Sequence, residues 1–167
     1  CNSSPFTTCD TGNPDPAKFP PYMVEDANED KRRAKRSRQI LRELDSVSFE
    51  QLEKLAYDTK LYWPQEQFPV FARELEELRS SDPAFAAKVE PYLSHLLEWD
   101  YVVTPTSTQA TLCEAWYEEL YGMEYPAETL LPPYVDNPKR RFQALIAAAG
   151  KLKQRHGDWR VPWASLF

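Results

Sequence analysis

Glycine is scarce in this sequence, with four residues in a chain of 167 that contains 15 prolines. The chain shows no glycine-rich phosphate loop, and it shows no internal repeat, metal triad or Ser-His-Asp pattern. Hydrophobic runs are also short: no stretch reaches eighteen apolar residues, which argues against a membrane span. The first residues are polar and lack a basic region followed by an apolar one, so no signal peptide is recognised in them.

Cysteine and histidine are few. Cys1, Cys9 and Cys113 have no metal-like spacing, and neither His95 nor His156 pairs with them at a ligand spacing, so zinc is not expected. Cys1 and Cys9 either remain free thiols or close a small loop in an oxidising compartment. Cys113 is expected in the core. His95 lies beside an apolar stripe, a pattern typical of packing or surface histidines, and it receives no functional role.

Positive charge is in deficit, because the chain carries a formal net charge of -6 and has a pI near 5.0. This argues against a general nucleic-acid binder, whose phosphate contacts need a basic surface. A basic block nevertheless extends from Lys31 to Arg42, and it lacks the aromatic residues that would stack on bases. It is interpreted as a solvated helix face, from which one arginine can point inward and hold a carboxylate. The block comprises Lys31, Arg32, Arg33, Lys35, Arg36, Arg38 and Arg42.

What the chain does have is apolar residues, 42% of the total, and prolines placed where helices start or stop. Ser48 and Gln51 form a capping-box pattern, with Val47 and Leu52 spaced for a hydrophobic staple. Pro69 predicts that one helix becomes regular late, and Pro91 predicts a kink or a split in the next. The predicted helices run from Glu29 to Leu44, from Ser48 toward Asp58, roughly from Gln65 to Arg79, from Asp82-Pro83 to about Leu97, from about Ser107 to Tyr121, and from Asn137-Pro138 to Gly157.

These patterns divide the chain into three parts. Residues 1–28 are predicted to be an irregular, proline-rich segment that bears the site, and residues 29–157 a helical region. Residues 158–167 alternate bulky and small side chains and are predicted to begin a strand. Since such a strand needs a partner, we expect the chain to be a fragment of a longer architecture.

The first six residues, Cys1 to Phe6, contain the candidate catalytic groups. A cysteine at a chain's first position can act as a nucleophile with its own α-amino group as base. The neighbouring amide of Asn2 offers a different chemistry, hydrogen-bond donation to a developing oxyanion. We favour Asn2 and treat Cys1 as a cut edge within a longer protein.

The segment Asn2-Ser3-Ser4-Pro5 resembles the Asn-Asn-Ser-Pro segment of the penicillin acylase family of N-terminal nucleophile hydrolases, which includes acyl-homoserine-lactone acylases. The ending, Gly157 to Trp163, is similar to the acyl-homoserine-lactone acylase branch. Between them the order of further segments is also similar to that family: Arg32-Arg33 through Ile40-Leu41, Ser48 to Leu52, Leu97 to Asp100, and Ala110 to Trp116.

The resemblance implies a mainly α fragment, the helical part of an αββα N-terminal nucleophile hydrolase. It also implies a periplasmic or secreted precursor that cuts itself into two chains and uses a new N-terminal serine, absent here, as nucleophile. Asn2 matches the family's oxyanion-hole asparagine. Arg33 matches the family arginine that supports the site, although a one-residue gap would select Arg32 instead, and anchoring of the helix is an equal alternative. Cys1 departs from the tryptophan of some members.

The implied activity is hydrolysis of the amide bond of an N-acyl substrate, either an acyl-homoserine lactone or a penicillin-like compound, with roles in quorum quenching or antibiotic metabolism. The fragment alone is expected to be inactive. No cofactor is identified in this segment, and calcium remains an expectation for the full-length protein. The expected partners are the remaining β-chain segments, the α chain of the same precursor and the small substrate, with no nucleic acid or membrane. The alternative is a helical interaction module without catalysis.

Overall fold

The computed structural model describes residues 20, 22, 32–122 and 137–166, with only the backbone described at residues 33, 34, 121 and 122. These ranges contain six α-helices in two compact units, residues 1–58 and 59–167. The mainly α fold predicted from the sequence is therefore confirmed. The first unit contains α1 (Arg32–Arg42) and α2 (Phe49–Ala56), and the second contains α3 (Tyr62–Ser81), α4 (Pro83–Leu97), α5 (Thr108–Gly122), α6 (Pro138–His156) and a 3-10 helix at Trp163–Leu166.

The helix ends follow the local chemistry that the sequence predicts. Ser48 and Gln51 complete a capping box before α2, with the Ser48 N–H donating to Gln51 Oε1 at 2.8 Å. Asp82 caps α4 by accepting from the Phe85 N–H at 3.1 Å, and Asn137 caps α6 in the same way. Gly157 ends α6 with a φ of 84°, a left-handed conformation that strains other residues.

Pro69 lies in the interior of α3 and Pro91 in the interior of α4. The sequence had predicted a late start for the first of these helices and a kink or a split in the second. The prediction that the regular part of α3 begins late is wrong, because α3 starts at Tyr62 and continues through Pro69. α4 is assigned as a single helix through Pro91, so it is not split. Both prolines are exposed. Water can therefore bond to the carbonyl that each proline leaves without an N–H donor, which lowers the cost of interrupting the helix.

The core of the second unit lies among its four α-helices. α3 packs on α4, α5 packs on α6, and α4 also contacts α5 and α6. Its centre consists of side chains with no measurable exposure, and Cys113 joins them at 5% exposure, as predicted for a core residue. The fully buried apolar residues include Phe68, Val89, Leu93, Leu96, Leu112, Trp116, Phe142 and Leu145.

The last described residues do not form the strand that was expected at 158–167. They form bends and the 3-10 helix, while Val161 is buried and the Ala164 N–H donates to the Pro105 carbonyl at 2.9 Å. A strand needs a neighbouring strand to satisfy its backbone groups, and none is assigned within the described ranges. The division of the chain at residues 28 and 157 stays a prediction. None of the described helices is long and apolar enough to cross a membrane.

Candidate functional site

The residues singled out in the sequence are only partly covered by the structure. Asn2, like Cys1 and Cys9, lies outside the described residues. Arg33 has its backbone in the first turn of α1, and its side chain lies outside the description. Arg32 begins the same helix and is partly exposed. The described part of the chain therefore fixes where the two arginines lie along a helix, and the role of Asn2 stays a prediction.

Arg36, one turn after these two arginines, binds Asp58 through both arms of its guanidinium group. Its Nε lies 2.7 Å from Asp58 Oδ2 and its Nη2 lies 2.8 Å from Asp58 Oδ1, while its Nη1 donates to Gln39 at 2.8 Å. The hydrogen bonds to Asp58 raise the pKa of Arg36, against an opposing effect of burial. One arginine of the basic block thus does hold a carboxylate, the arrangement for which a planar fork is suited.

This ion pair connects α1 to the chain that follows α2. Arg33 precedes Arg36 by three residues and Arg32 precedes it by four, so both belong to the helical turn before Arg36. The bonds of Arg36 to Asp58 therefore tie the helix that carries both arginines to the chain after α2.

The second unit contains an aromatic cluster around Trp63, a partly buried residue at the start of α3. Its ring contacts Phe68, Phe71, Trp116 and Tyr117 edge-on, with centroids 6.0 to 6.4 Å apart. Edge-to-face contacts at this range are favourable because a ring's positive edge meets its neighbour's negative face. The cluster joins α3 to α5, and the physical role that these contacts support is packing.

Glu74 on α3 and Arg141 on α6 form an ion pair that is largely removed from solvent. Their side chains retain 15% and 8% of their exposure, and the Arg141 guanidinium also lies 5.3 Å from the centroid of Phe71. A charge with so little water needs a partner, and each supplies one for the other. The pair was not found from the sequence, since its members lie 67 positions apart in the chain and nothing in the sequence signals their contact.

His95, near the end of α4, contacts two other parts of the second unit. Its Nε2 lies 2.9 Å from the Thr108 hydroxyl at the start of α5, and its ring meets Trp159 edge-on at 5.1 Å. Burial, and then the positive charge of Arg160, lower the pKa of His95, whereas Glu98 raises it. Packing between elements, one of the two interpretations drawn from the sequence, accounts for these contacts.

Among the described residues, no group of three or more His, Cys, Asp or Glu side chains is arranged to hold a metal ion. Cys113 is buried in the core, which keeps its thiol from acting as an accessible nucleophile.

Comparison with known proteins identifies the chain at the level of its family. The model of the penicillin amidase family matches residues 2–165, which is nearly the whole sequence. No curated protein and no solved structure matched the chain. The match extends from Asn2 across both units and through α6 into the last described residues. The chain belongs to the penicillin amidase family.

Proposed function

We propose that this chain is part of an enzyme that hydrolyses the amide bond of an N-acyl substrate, with an N-terminal serine outside these 167 residues as nucleophile. The observation that carries the proposal is the family match over residues 2–165, since the family is one of amide hydrolases. The chain supplies helical scaffold and the segment that contains Asn2. Without the serine and its amine, residues 1–167 by themselves do not turn over substrate.

In the proposed reaction the free α-amine of the serine takes the proton of the serine hydroxyl, directly or through a water. The serine oxygen attacks the amide carbonyl, the amine product leaves with a proton, and water then hydrolyses the acyl-enzyme. Negative charge develops on the carbonyl oxygen in both steps. The Asn2 amide donates a hydrogen bond to that oxygen, and loss of one such donor costs about 3 to 4 kcal/mol.

Arg33 is proposed to support the site from the first turn of α1, with Arg32 as the competing assignment. The Arg36–Asp58 bonds hold the helix that carries both residues to the chain after α2, and they favour neither assignment over the other. A guanidinium at such a position can hold a neighbouring carbonyl or carboxylate in place through its fixed fork of donors.

The substrate, partners and location are proposed on the same resemblance. The substrate class is an N-acyl compound, an acyl-homoserine lactone or a penicillin-like amide. The partners are the remaining segments of the same precursor, which is self-processed and periplasmic or secreted. Calcium would belong to those other segments.

The test uses the full-length precursor from which this sequence comes, with Asn2→Asp and Asn2→Ala variants assayed on acyl-homoserine lactones and penicillins. We expect kcat to fall by about 100-fold to 1000-fold with little change in KM, because the lost donor acts on the transition state. Asn13→Asp, in the same proline-rich segment, is the matched control and should retain activity. An unchanged kcat in both Asn2 variants would remove Asn2 from the mechanism.

Two further measurements separate the alternatives. Turnover by residues 1–167 alone that disappears with Cys1→Ala would instead identify an N-terminal cysteine hydrolase. Arg33→Lys and Arg32→Lys, compared in the precursor, assign the supporting arginine to the variant with the lower kcat. Equal, unchanged activity in both would leave anchoring of α1 as the role of these residues.

The second candidate is a helical interaction module without catalysis, and the exposure of α2 favours it. None of its eight residues is buried, and Phe49 and Leu52 retain 78% and 51% of their exposure. An apolar face left open in this way is suited to contact with another polypeptide. A precursor that has no serine at a self-cleavage junction upstream, and that hydrolyses neither substrate class, would select this function.

A further inference from the structure

The carboxy-terminal segment 157–166 is held to the rest of the second unit by a small cluster centred on His95. In this cluster Trp159 contacts two residues of α4: its ring lies 5.1 Å from Tyr92 and 5.1 Å from His95, in both cases edge-on. His95 in turn reaches the first residue of α5 through Thr108 at 2.9 Å. The imidazole of His95, which belongs to α4, therefore contacts both α5 and the segment.

A cation also lies in this cluster, because the guanidinium of Arg160 stacks over the Trp159 ring at 4.2 Å from its centroid. The stacking is a favourable cation–π contact. It also places a fixed positive charge on the segment next to His95, whose ring is itself partly buried. A second positive charge on the imidazole would be repelled by Arg160 and would lose hydration.

We propose that His95 is a pH-sensitive clasp, which attaches segment 157–166 to α4 and α5 while its imidazole is neutral and weakens that attachment once it is protonated. The charged groups that act on it are Arg160 from the segment, which disfavours the protonated ring, and Glu98 from α4, which favours it. α5 presents the uncharged Thr108 hydroxyl. Burial of the ring also disfavours its protonated form. Burial and Arg160 together outweigh the opposite influence of Glu98.

The direction of the pH effect follows from which state binds the proton more tightly. Once the segment detaches, His95 is hydrated and separated from Arg160, so it binds a proton more readily than when attached. The attachment is therefore complete above the ordinary histidine pKa of about 6.5 and weakens as pH falls through that value. The detachment equilibrium can rise by at most about tenfold per pH unit, since a single proton is involved.

The backbone N–H of Ala164 is the reporter for this equilibrium, because it donates to the Pro105 carbonyl at 2.9 Å only while the segment is attached. Its hydrogen exchange is measured between pH 7 and pH 5 and corrected for the intrinsic pH dependence of exchange. Its protection should fall across this range, by at most about tenfold per pH unit. Amides in the middle of α6 report global unfolding and should lose less protection.

Variants assign the effect to His95. His95→Gln keeps a hydrogen-bond donor for Thr108 and cannot titrate, so its Ala164 protection should be flat over the range. His156→Gln removes the other, exposed histidine and should behave as the unmodified chain does. Arg160→Gln removes the repelling charge and should reduce the pH dependence. A pH dependence that persists in His95→Gln, or one that is equal at Ala164 and in α6, would overturn the proposal.

Discussion

The indole Nε1 of Trp116 donates a hydrogen bond to the backbone carbonyl of Arg141 at 2.9 Å, inside the core of the second unit. Trp116 has no measurable exposure and lies on α5, whereas Arg141 lies in the first turn of α6. The same residue of α6 pairs through its side chain with Glu74 on α3. Arg141 therefore connects three helices, with its backbone on one side and its guanidinium on the other.

Trp116→Phe should destabilise the second unit by about 2 to 3 kcal/mol, because it removes the indole hydrogen bond to the Arg141 carbonyl and leaves a cavity where the second ring was. Urea unfolding followed by circular dichroism measures the change. Trp163→Phe, at a half-buried position in the 3-10 helix, is the matched control and should cost less than 1 kcal/mol. Equal effects of the two substitutions would contradict the role given to the Trp116 hydrogen bond.

Glu74→Gln should cost about 2 to 4 kcal/mol, because it leaves the Arg141 charge nine-tenths removed from water without its counter-ion. The double variant Glu74→Leu/Arg141→Met should be less destabilised than either single change, since no buried charge then remains. A double-mutant cycle compares the free energies of unfolding in urea of Glu74→Leu, Arg141→Met and the double variant. Simple additivity of the two single effects would show that the pair is not energetically coupled.

Asp58→Asn should loosen α1, since it removes the anion that accepts two hydrogen bonds from Arg36. The expected loss is about 1 kcal/mol, because both side chains keep roughly a fifth of their exposure and the charges are partly screened. Hydrogen exchange of the α1 amides is the appropriate measurement. Asp45→Asn, at an exposed position between α1 and α2, is the control and should leave that exchange unchanged.

Asp82 predicts a dependence of stability on acid pH. The hydrogen bond from Lys139 Nζ at 3.1 Å, and then the Phe85 N–H, lower the pKa of its carboxyl. An acid whose pKa is lower in the folded state stabilises the fold above its unfolded pKa of about 3.9, and this stabilisation is lost as pH falls through the folded value. Asp82→Asn, which keeps the helix cap, should therefore have a lower Tm than the unmodified chain at pH 6.

This difference in Tm should shrink as pH falls below about 3.9 and disappear once the Asp82 carboxyl is protonated in both states. Lys139→Gln should reproduce most of the effect of Asp82→Asn at pH 6, because it removes the largest cause of the lowered pKa. A Tm difference that is constant from pH 6 to pH 2 would contradict the assignment to the charge of Asp82.

Sequence patterns predicted well those features in which all partners lie within one helical turn. The Ser48–Gln51 capping box, the Asp82 cap and the Gly157 terminus each depend on residues three or four positions apart, so the chain itself brings them together. The late start predicted from Pro69 and the split allowed at Pro91 did not occur, and the reason is different. Whether a helix passes through a proline depends on which face is solvated, and that is set by packing.

The candidate site was likewise predicted only in part from the sequence. The segment Asn2-Ser3-Ser4-Pro5 resembles the penicillin acylase family, and the family match over residues 2–165 confirms the family. The individual roles of Asn2 and Arg33 remain predictions. The sequence indicated that one arginine of the basic block would hold a carboxylate. The choice of Arg36, and of Asp58 as its partner 22 residues away, depended on how the chain folds back.

By itself, the sequence determined that this chain is helical, where its caps lie, and to which family of amide hydrolases it belongs, because local hydrogen bonds and residue order carry that information. Only the tertiary structure decided which distant side chains meet: Trp116 with Arg141, Glu74 with Arg141, and His95 with Thr108 and Trp159. The physical reason is that burial and charge pairing depend on the relative placement of whole helices. That placement is set by the packing of many apolar side chains in the core, each of which contributes little by itself.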